Sequence, residues 1–208
     1  MEIEGWPGTP DEALRWLLEG NQRFIAGERL HPHQDADRRT ALAPAQKPFA
    51  VLFGCSDSRL AAEIIFDRGL GDLFVVRTAG HVVGPEVLGS IEYAVSVLDT
   101  PLIAVLGHDS CGAVQATLDA VQHGTTPPGF MRDVVERVML SVLAVREQAL
   151  ADPEVAVTEH VRYTVELLVQ RSAVIAERLA AGRCGVVGLS YHLSEGTARL
   201  VASRGVRA

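Results

Sequence analysis

The chain has 208 residues, 48% of them hydrophobic and 22% charged, a composition typical of a globular domain with a sizeable core rather than of a disordered chain. Its 19 basic and 26 acidic residues give a net charge of −7, which argues against binding to nucleic acid. The odd number of three cysteines argues against a disulfide framework, and no apolar run approaches the length of a membrane helix, so we expect a cytoplasmic protein without membrane contact.

The first predicted element is an amphipathic helix over residues 10–26, with a suitable N-cap, a proline in its first turn and leucines at helical spacing. A polar connection with several prolines, residues 31–47, follows as an arm or long loop. We expect a single domain over residues 1–208, in which residues 1–47 form the N-terminal helix and arm and residues 48–208 form the core.

Short apolar runs bounded by glycine or proline then alternate with helical segments. The runs that predict strands lie at residues 49–53, 73–76, 101–106 and 185–189, with a possible edge strand at 197–201. Helices are expected at residues 61–67, 85–97, 131–150 and 154–181, and in the stretch after Cys111. This alternation predicts an α/β fold with a central, mostly parallel sheet of four strands plus an edge strand, flanked by helices.

Two of the predicted strands end in loops that carry possible metal ligands. Cys55 follows the first apolar run, and His108 and Cys111 follow the third. Because ligands bind beyond the carboxyl ends of parallel strands, these side chains are expected to meet. Two thiolates and one imidazole suit zinc, and three protein ligands leave one position open, as in catalytic sites. The alternative is a pair of buried structural cysteines and an ordinary polar histidine.

Asp57 and Arg59 lie in the same loop as Cys55. Asp57 can point back to the open metal position. Arg59 can bind the Asp57 carboxylate through two charge-assisted hydrogen bonds. The alternative is a surface ion pair of little consequence. Asp109, next to His108, either orients that ligand or caps the helix that follows.

The run Cys55-Ser56-Asp57-Ser58-Arg59, with Gly107-His108-x-x-Cys111-Gly112 downstream, resembles the β-class carbonic anhydrases, most nearly their actinobacterial members. The resemblance extends from the N-terminal helix to about Gly196. It implies a lyase that catalyses the zinc-dependent, reversible hydration of carbon dioxide to bicarbonate and a proton. It also implies that Cys55, His108 and Cys111 bind Zn²⁺, and that an Asp57–Arg59 dyad orients the zinc-bound hydroxide. Asp57 would be a conditional fourth ligand.

The resemblance further implies substrate contacts and an oligomer. Gln46 matches a glutamine that donates to a substrate oxygen, usually across a subunit interface. Phe74 and Tyr93 match walls of the carbon dioxide pocket, and the backbone N–H of Gly112 matches a group that helps to hold the substrate. Since the N-terminal helical arm of the family packs on a partner subunit, a homodimer or a homotetramer is expected.

Leu52 departs from the family pattern. Some members bind bicarbonate at a second site built from a tryptophan, an arginine and a tyrosine. Arg77 and Tyr191 match two of these residues, but Leu52 stands in the place of the tryptophan. Bicarbonate regulation of that kind is therefore not expected, whereas a pH-dependent movement of Asp57 onto zinc stays open.

Several other functions compete with carbonic anhydrase activity. Hydrolysis of carbonyl sulfide or carbon disulfide uses the same ligands in a few relatives of this fold. A non-enzymatic zinc protein would have a fourth permanent protein ligand. A thiol redox protein and a serine hydrolase are disfavoured, because the sequence has neither a Cys-x-x-Cys motif nor a Gly-x-Ser-x-Gly elbow.

Overall fold

The computed structural model describes residues 6–207. Its first helix, α1 (Pro10–Ala26), has the predicted bounds. The Thr9 side chain accepts the Glu12 N–H, and the Glu12 carboxylate accepts the Thr9 N–H, so the helix begins with a capping box. Gly27 ends the helix in the left-handed conformation, with φ 73°.

A five-stranded sheet forms the centre of the fold, with the strand order β2-β1-β3-β4-β5. The first four strands are parallel and β5 runs antiparallel to β4, which confirms the predicted sheet of four parallel strands and an edge strand. The strands are β1 (Ala50–Cys55), β2 (Leu73–Thr78), β3 (Leu102–His108), β4 (Gly185–Tyr191) and β5 (Ala198–Arg204).

Eight further helices surround the sheet among the described residues. They are α2 (Ala36–Leu42), α3 (Ala62–Ile65), α4 (Pro85–Ser96), α5 (Gly112–His123), α6 (Met131–Ala144), α7 (Arg146–Ala151), α8 (Pro153–Arg171) and α9 (Ala173–Ala180). A 3₁₀ turn at Ala79–His81 follows β2. None of the helices within residues 6–207 combines the length and apolar character that crossing a bilayer requires.

Three helical segments differ from the prediction. Helix α2 lies inside the predicted arm, where Asp35 caps it, although none of its residues is buried. The predicted helix over 131–150 is interrupted at Val145, which separates α6 from α7. The predicted helix over 154–181 is interrupted at Ser172, because this residue is extended and its hydroxyl accepts the Ile175 N–H, which starts α9.

The sheet lies between two apolar layers, so its central strands are buried on both faces. Every residue of β1 and of β3 is buried, which explains why both read as continuous apolar runs. Leu52 and Leu106 pack on the face covered by α1, α3 and α5. Phe53 and Val105 pack on the opposite face, beneath α4, α8 and α9.

The strand order reverses at β1, whose neighbours β2 and β3 lie on opposite sides. A crevice opens outside the carboxyl ends of the strands at such a switch point. Cys55 ends β1 and His108 ends β3, so both border this crevice.

Candidate metal centre

The structure brings Cys55, His108 and Cys111 together at the carboxyl edge of the sheet. Their potential ligand atoms all lie within 4.8 Å of one another, and all three residues are buried. Cys111 immediately precedes α5 and occupies its N-cap position, where the helix dipole favours a thiolate. Two parallel strand ends and one helix start thus supply two sulfurs and one imidazole to a single point.

The orientation of the His108 ring is fixed by the backbone. Its Nδ1 lies 2.8 Å from the carbonyl oxygen of Asp109, which can only accept, so Nδ1 carries the proton. Nε2 therefore presents a lone pair, and this buried atom has no hydrogen-bond partner among residues 6–207. An orphaned lone pair beside two cysteines fits a divalent metal, and the sulfur-rich donor set fits zinc.

Asp109 is therefore an orienting residue through its carbonyl group rather than through its side chain. The predicted role as a helix cap is wrong, because Cys111 occupies that position. The Asp109 carboxylate instead accepts the N–H of Leu193, 2.7 Å away, at the start of the connection between β4 and β5.

The two cysteines differ in their electrostatic surroundings. A hydrogen bond from the Cys111 thiol is the main cause that lowers the pKa of Cys55 below its usual value, against the opposing effect of burial. The same hydrogen bond, together with burial, raises the pKa of Cys111. The Gly80 N–H also donates to Cys55 Sγ, at 3.3 Å. Metal ligands must be thiolates, so binding of a divalent cation would release the proton that forms this hydrogen bond.

Asp57 and Arg59 form a bidentate ion pair beside the cluster. Arg59 Nε lies 2.8 Å from Asp57 Oδ1 and Arg59 Nη2 lies 2.6 Å from Oδ2, while the Arg59 backbone N–H donates to Oδ1 at 2.9 Å. These hydrogen bonds hold the pKa of Asp57 well below its usual range, so the carboxylate is ionised. Its Oδ2 lies 3.9 Å from His108 Nε2, which places the carboxylate next to the three candidate ligands.

Arg77 fixes the backbone of this loop. Its Nε donates to the carbonyl oxygen of Cys55 at 2.9 Å, and its Nη2 donates to the carbonyl oxygen of Asp57 at 2.6 Å. In sequence, Arg77 matches the arginine of the second bicarbonate site that some family members have. In the structure its guanidinium binds the loop through these two carbonyl groups, and Leu52 is buried in the core.

The four predicted substrate residues have different surroundings. Gly112 begins α5 directly after Cys111. Phe74 and Tyr93 pack against each other, with ring centroids 6.3 Å apart, and Tyr93 is 46% exposed. Gln46 lines a surface cavity together with residues of α2 and with Trp6, and none of the three candidate ligands lines that cavity. Their contacts with substrate stay a prediction.

A second cluster of potential metal ligands, Asp109, Glu154 and His192, lies nearby. Glu154 is exposed in the first turn of α8, where the helix dipole favours a carboxylate, and it lies 3.5 Å from His192 Nε2. Asp109 is already engaged by the Leu193 N–H, and the contact between Glu154 and His192 accounts for the other two residues.

Comparison with known proteins agrees with this geometry. The family model described as "Carbonic anhydrase" matches residues 50–198. The chain is 58% identical over 195 residues to "Carbonic anhydrase 2" of Mycobacterium tuberculosis, covering 93% of this chain and 94% of the relative. It is 56% identical to the "Carbonic anhydrase" of Mycolicibacterium smegmatis over 192 residues, covering 92% and 93% of the two chains.

The matched family and the identity to these relatives show that the chain belongs to the carbonic anhydrase family. Its fold is that of the β class. The solved structure of the β-carbonic anhydrase CcaA has a TM-score of 0.67 and 29% sequence identity, and the match covers 90% of this chain and 86% of that one. The resemblance seen in the sequence motifs is thus confirmed, and the chain is a carbonic anhydrase enzyme.

Proposed function

We propose that this carbonic anhydrase carries out the zinc-dependent, reversible hydration of carbon dioxide to bicarbonate and a proton. In this proposal Cys55, His108 and Cys111 bind the zinc, and Asp57 and Arg59 act as the catalytic pair. The observation that carries the proposal is the buried Cys-His-Cys cluster, with its orphaned His108 Nε2, beside an ionised carboxylate. Zinc, when bound, supplies the Lewis acidity that generates a nucleophile from water near neutral pH.

Asp57 would orient that nucleophile. A carboxylate offers about four lone-pair directions, and the three hydrogen bonds from Arg59 occupy two on Oδ1 and one on Oδ2. One acceptor direction on Oδ2 is therefore left, on the oxygen that lies 3.9 Å from the His108 imidazole. Asp57 can accept the proton of the attacking water in a hydrogen bond while Arg59 keeps the carboxylate ionised and fixed. Its proposed role as a conditional fourth ligand would require these Arg59 contacts to be broken.

The substrate would bind against α5, the helix that starts at the cluster. The Gly112 N–H is one of the unpaired donors at the start of this 12-residue helix, where the dipole favours the developing negative charge of bicarbonate. Phe74 and Tyr93 are proposed as the apolar walls of the carbon dioxide pocket, and Gln46 as the side-chain donor to a substrate oxygen.

A homodimer or homotetramer would complete the site. The cavity that Gln46 lines contains none of the ligands of its own chain, so its proposed contact with substrate fits the site of a partner better. The exposed half of Tyr93 is likewise available to a second copy. We propose that the N-terminal arm packs on this partner. Among proteins of the same fold, the Sordaria macrospora β-carbonic anhydrases are described as tetrameric.

We propose further that residues 1–208 form one domain, since Leu14 and Leu17 of α1 pack in the same apolar cluster as the strands. The three cysteines are all free among the described residues, which supports the proposal of a reducing, cytoplasmic location.

The proposal is tested by stopped-flow carbon dioxide hydration from pH 6 to 9, with zinc assayed in the same sample. About one zinc per chain and activity that rises with pH would support it. About one zinc without hydration activity would overturn it, and turnover of carbonyl sulfide or carbon disulfide in that sample would identify the competing hydrolase function. Absence of zinc from an active sample would overturn the ligand assignment.

A further inference from the structure

The backbone of Gly80 forms hydrogen bonds both with the candidate metal centre and with His160, a buried histidine of α8. The Gly80 N–H donates to Cys55 Sγ at 3.3 Å, and the Gly80 carbonyl oxygen lies 2.9 Å from His160 Nε2. Both contacts are buried. A single glycine is therefore held at one end by a potential metal ligand and at the other by α8.

Only a glycine suits this position. Gly80 lies in the 3₁₀ turn after β2 with φ 60° and ψ 22°, in the left-handed region that other residues rarely adopt. A Cβ atom there would lie 2.6 Å from the Cβ of Ala113, in the first turn of α5. The turn thus packs directly against the helix that begins at Cys111.

His160 binds the Gly80 carbonyl group, and this contact defines the tautomer of the His160 ring. The oxygen of Gly80 can only accept, so His160 Nε2 must carry a proton. Burial lowers the pKa of His160 to about 4, so the ring is neutral at physiological pH. Nδ1 then accepts a hydrogen bond, and its neighbour is the Ser141 hydroxyl, at 2.9 Å. The Gly80 carbonyl group thus fixes the tautomer, and the single proton of the Ser141 hydroxyl can go to Nδ1 or to the Val138 carbonyl oxygen, 2.7 Å away.

His81 packs against this arrangement from the other side. Its ring centroid lies 4.3 Å from that of His160, and its ring meets Phe53 edge-on at 6.2 Å. Both His81 ring nitrogens are buried without a hydrogen-bond partner among residues 6–207. The His81 ring thus packs against the His160 ring.

We propose that His160 is a positioning residue of the metal centre. By binding the Gly80 carbonyl group it directs the Gly80 N–H at the Cys55 sulfur, and it thereby sets how much negative charge that thiolate donates to the metal. A hydrogen bond to a metal-bound thiolate withdraws charge from the sulfur, and such outer contacts change metal affinity and reactivity. The inference rests on the proposed function, in which Cys55 binds zinc.

The test uses the cobalt(II)-substituted protein, whose thiolate-to-cobalt absorption reports the charge on the sulfur independently of activity. His160→Leu removes the donor, whereas His160→Gln retains an N–H that can reach Gly80. We expect the His160→Leu absorption to move to lower energy, because the sulfur keeps more charge. We expect cobalt affinity to fall at least about tenfold in chelator competition, because the turn that positions Cys55 is no longer held. We expect His160→Gln to restore both properties most of the way to wild type.

Two further variants separate positioning from general destabilisation. Ser141→Ala keeps the imidazole but removes the hydroxyl that contacts its Nδ1, and it should produce a smaller shift in the same direction. It also serves as the test if His160→Leu does not fold. Val165→Ala removes buried volume from the same helix without touching Gly80, and it should leave the absorption unchanged.

Superposable absorption spectra for wild type, His160→Leu and Ser141→Ala would overturn the inference and leave the proposed zinc ligands intact. An equal shift in Val165→Ala would also overturn it, since destabilisation would then be the cause. A wild-type protein that binds cobalt without any thiolate absorption would overturn the ligand assignment of the proposed function, and this inference with it.

Discussion

The Arg59 guanidinium binds both oxygens of the Asp57 carboxylate, at 2.8 and 2.6 Å, although Arg59 itself is half exposed. An exposed ion pair of this kind adds little stability. Its geometry nevertheless fixes the direction of a carboxylate that lies beside three buried metal-ligand candidates. The pair is therefore better explained by orientation of Asp57 than by stability of the fold.

Asp57→Asn should retain zinc and lose most of the carbon dioxide hydration. The amide is similar in shape but carries no charge and offers only one acceptor oxygen, so it orients the attacking water poorly. We expect kcat/KM to fall roughly 100-fold or more, in the range typical of lost proton-handling groups. Zinc assay and stopped-flow hydration on one sample measure both effects, and wild-type activity would refute the assigned role.

Arg59→Lys should also reduce activity while zinc stays bound. Lysine keeps the positive charge, but its ammonium group does not reproduce the two parallel hydrogen bonds of the guanidinium. A decrease of about tenfold corresponds to about 1.4 kcal/mol of lost transition-state stabilisation. Arg132→Lys, at an exposed arginine that is paired with Glu136, is the matched control and should be fully active. Equal activity of the two variants would show that charge alone suffices at Arg59.

Cys55→Ser should lose zinc and stability together. Zinc that binds only the folded chain stabilises it, so removal of one ligand lowers the melting temperature and abolishes the effect of a chelator on that temperature. Cys184→Ser is the matched control, because Cys184 is equally buried but lies outside the cluster. It should bind zinc normally and remain sensitive to the chelator. Normal zinc content in Cys55→Ser would remove Cys55 from the ligand set.

The buried pair His81 and His160 should make stability depend on pH. Burial holds the pKa of His81 well below its usual value and lowers the pKa of His160 to about 4. The unfolded chain takes up protons on these rings near pH 6.5, whereas the folded chain keeps them neutral. The unfolded state therefore binds more protons, and the free energy of unfolding decreases as the pH falls from about 6.5 towards 4.

His160→Gln should reduce that dependence, because glutamine does not titrate. The difference in slope between wild type and variant should reach about 1.4 kcal/mol per pH unit. Urea unfolding at several pH values between 7 and 4.5 measures it, with the exposed His123→Gln as a control that should behave as wild type. Identical slopes for wild type and His160→Gln would show that His160 is not the group responsible.

Co-expression of two inactive variants should recover activity if Gln46 serves the site of a partner. A dimer that combines one Gln46→Ala chain with one Asp57→Asn chain has both defects in one site and none in the other. Random pairing should therefore give about a quarter of wild-type activity, well above either variant alone. Activity no higher than the mean of the two variants would mean that Gln46 acts within its own chain or has no catalytic role.

The sequence predicted the sheet well because its central strands are buried on both faces. A continuous apolar run such as residues 49–53 indicates a strand that is buried on both faces, whichever strands it pairs with. Helix α2 was missed because it presents no apolar stripe, and its only local signal is the cap at Asp35. The break at Ser172 was missed because the apolar spacing continues across it, and only the hydrogen bond to Ile175 starts a new helix there.

In the candidate site, too, contacts between residues close in sequence could be predicted, whereas long-range contacts could not. Cys55, Asp57 and Arg59 are close in sequence, so their association could be predicted from spacing. The contact between Gly80 and His160 could not, since the two residues are 80 positions apart and neither belongs to a recognisable chemical motif. The left-handed turn at Gly80 could not be predicted either, because a glycine permits many backbone conformations and does not indicate which one the fold adopts.

Arg77 binds the carbonyl oxygens of both Cys55 and Asp57 from the neighbouring strand β2. The backbone that carries the candidate ligand and the backbone that carries the candidate acid are thus anchored to one guanidinium. A rotation of the Asp57 side chain towards the candidate ligands would leave both Arg77 contacts intact, whereas a shift of the loop would break them. The on–off control proposed for Asp57 would therefore be a rotamer exchange, from Arg59 to the metal position, within a fixed backbone.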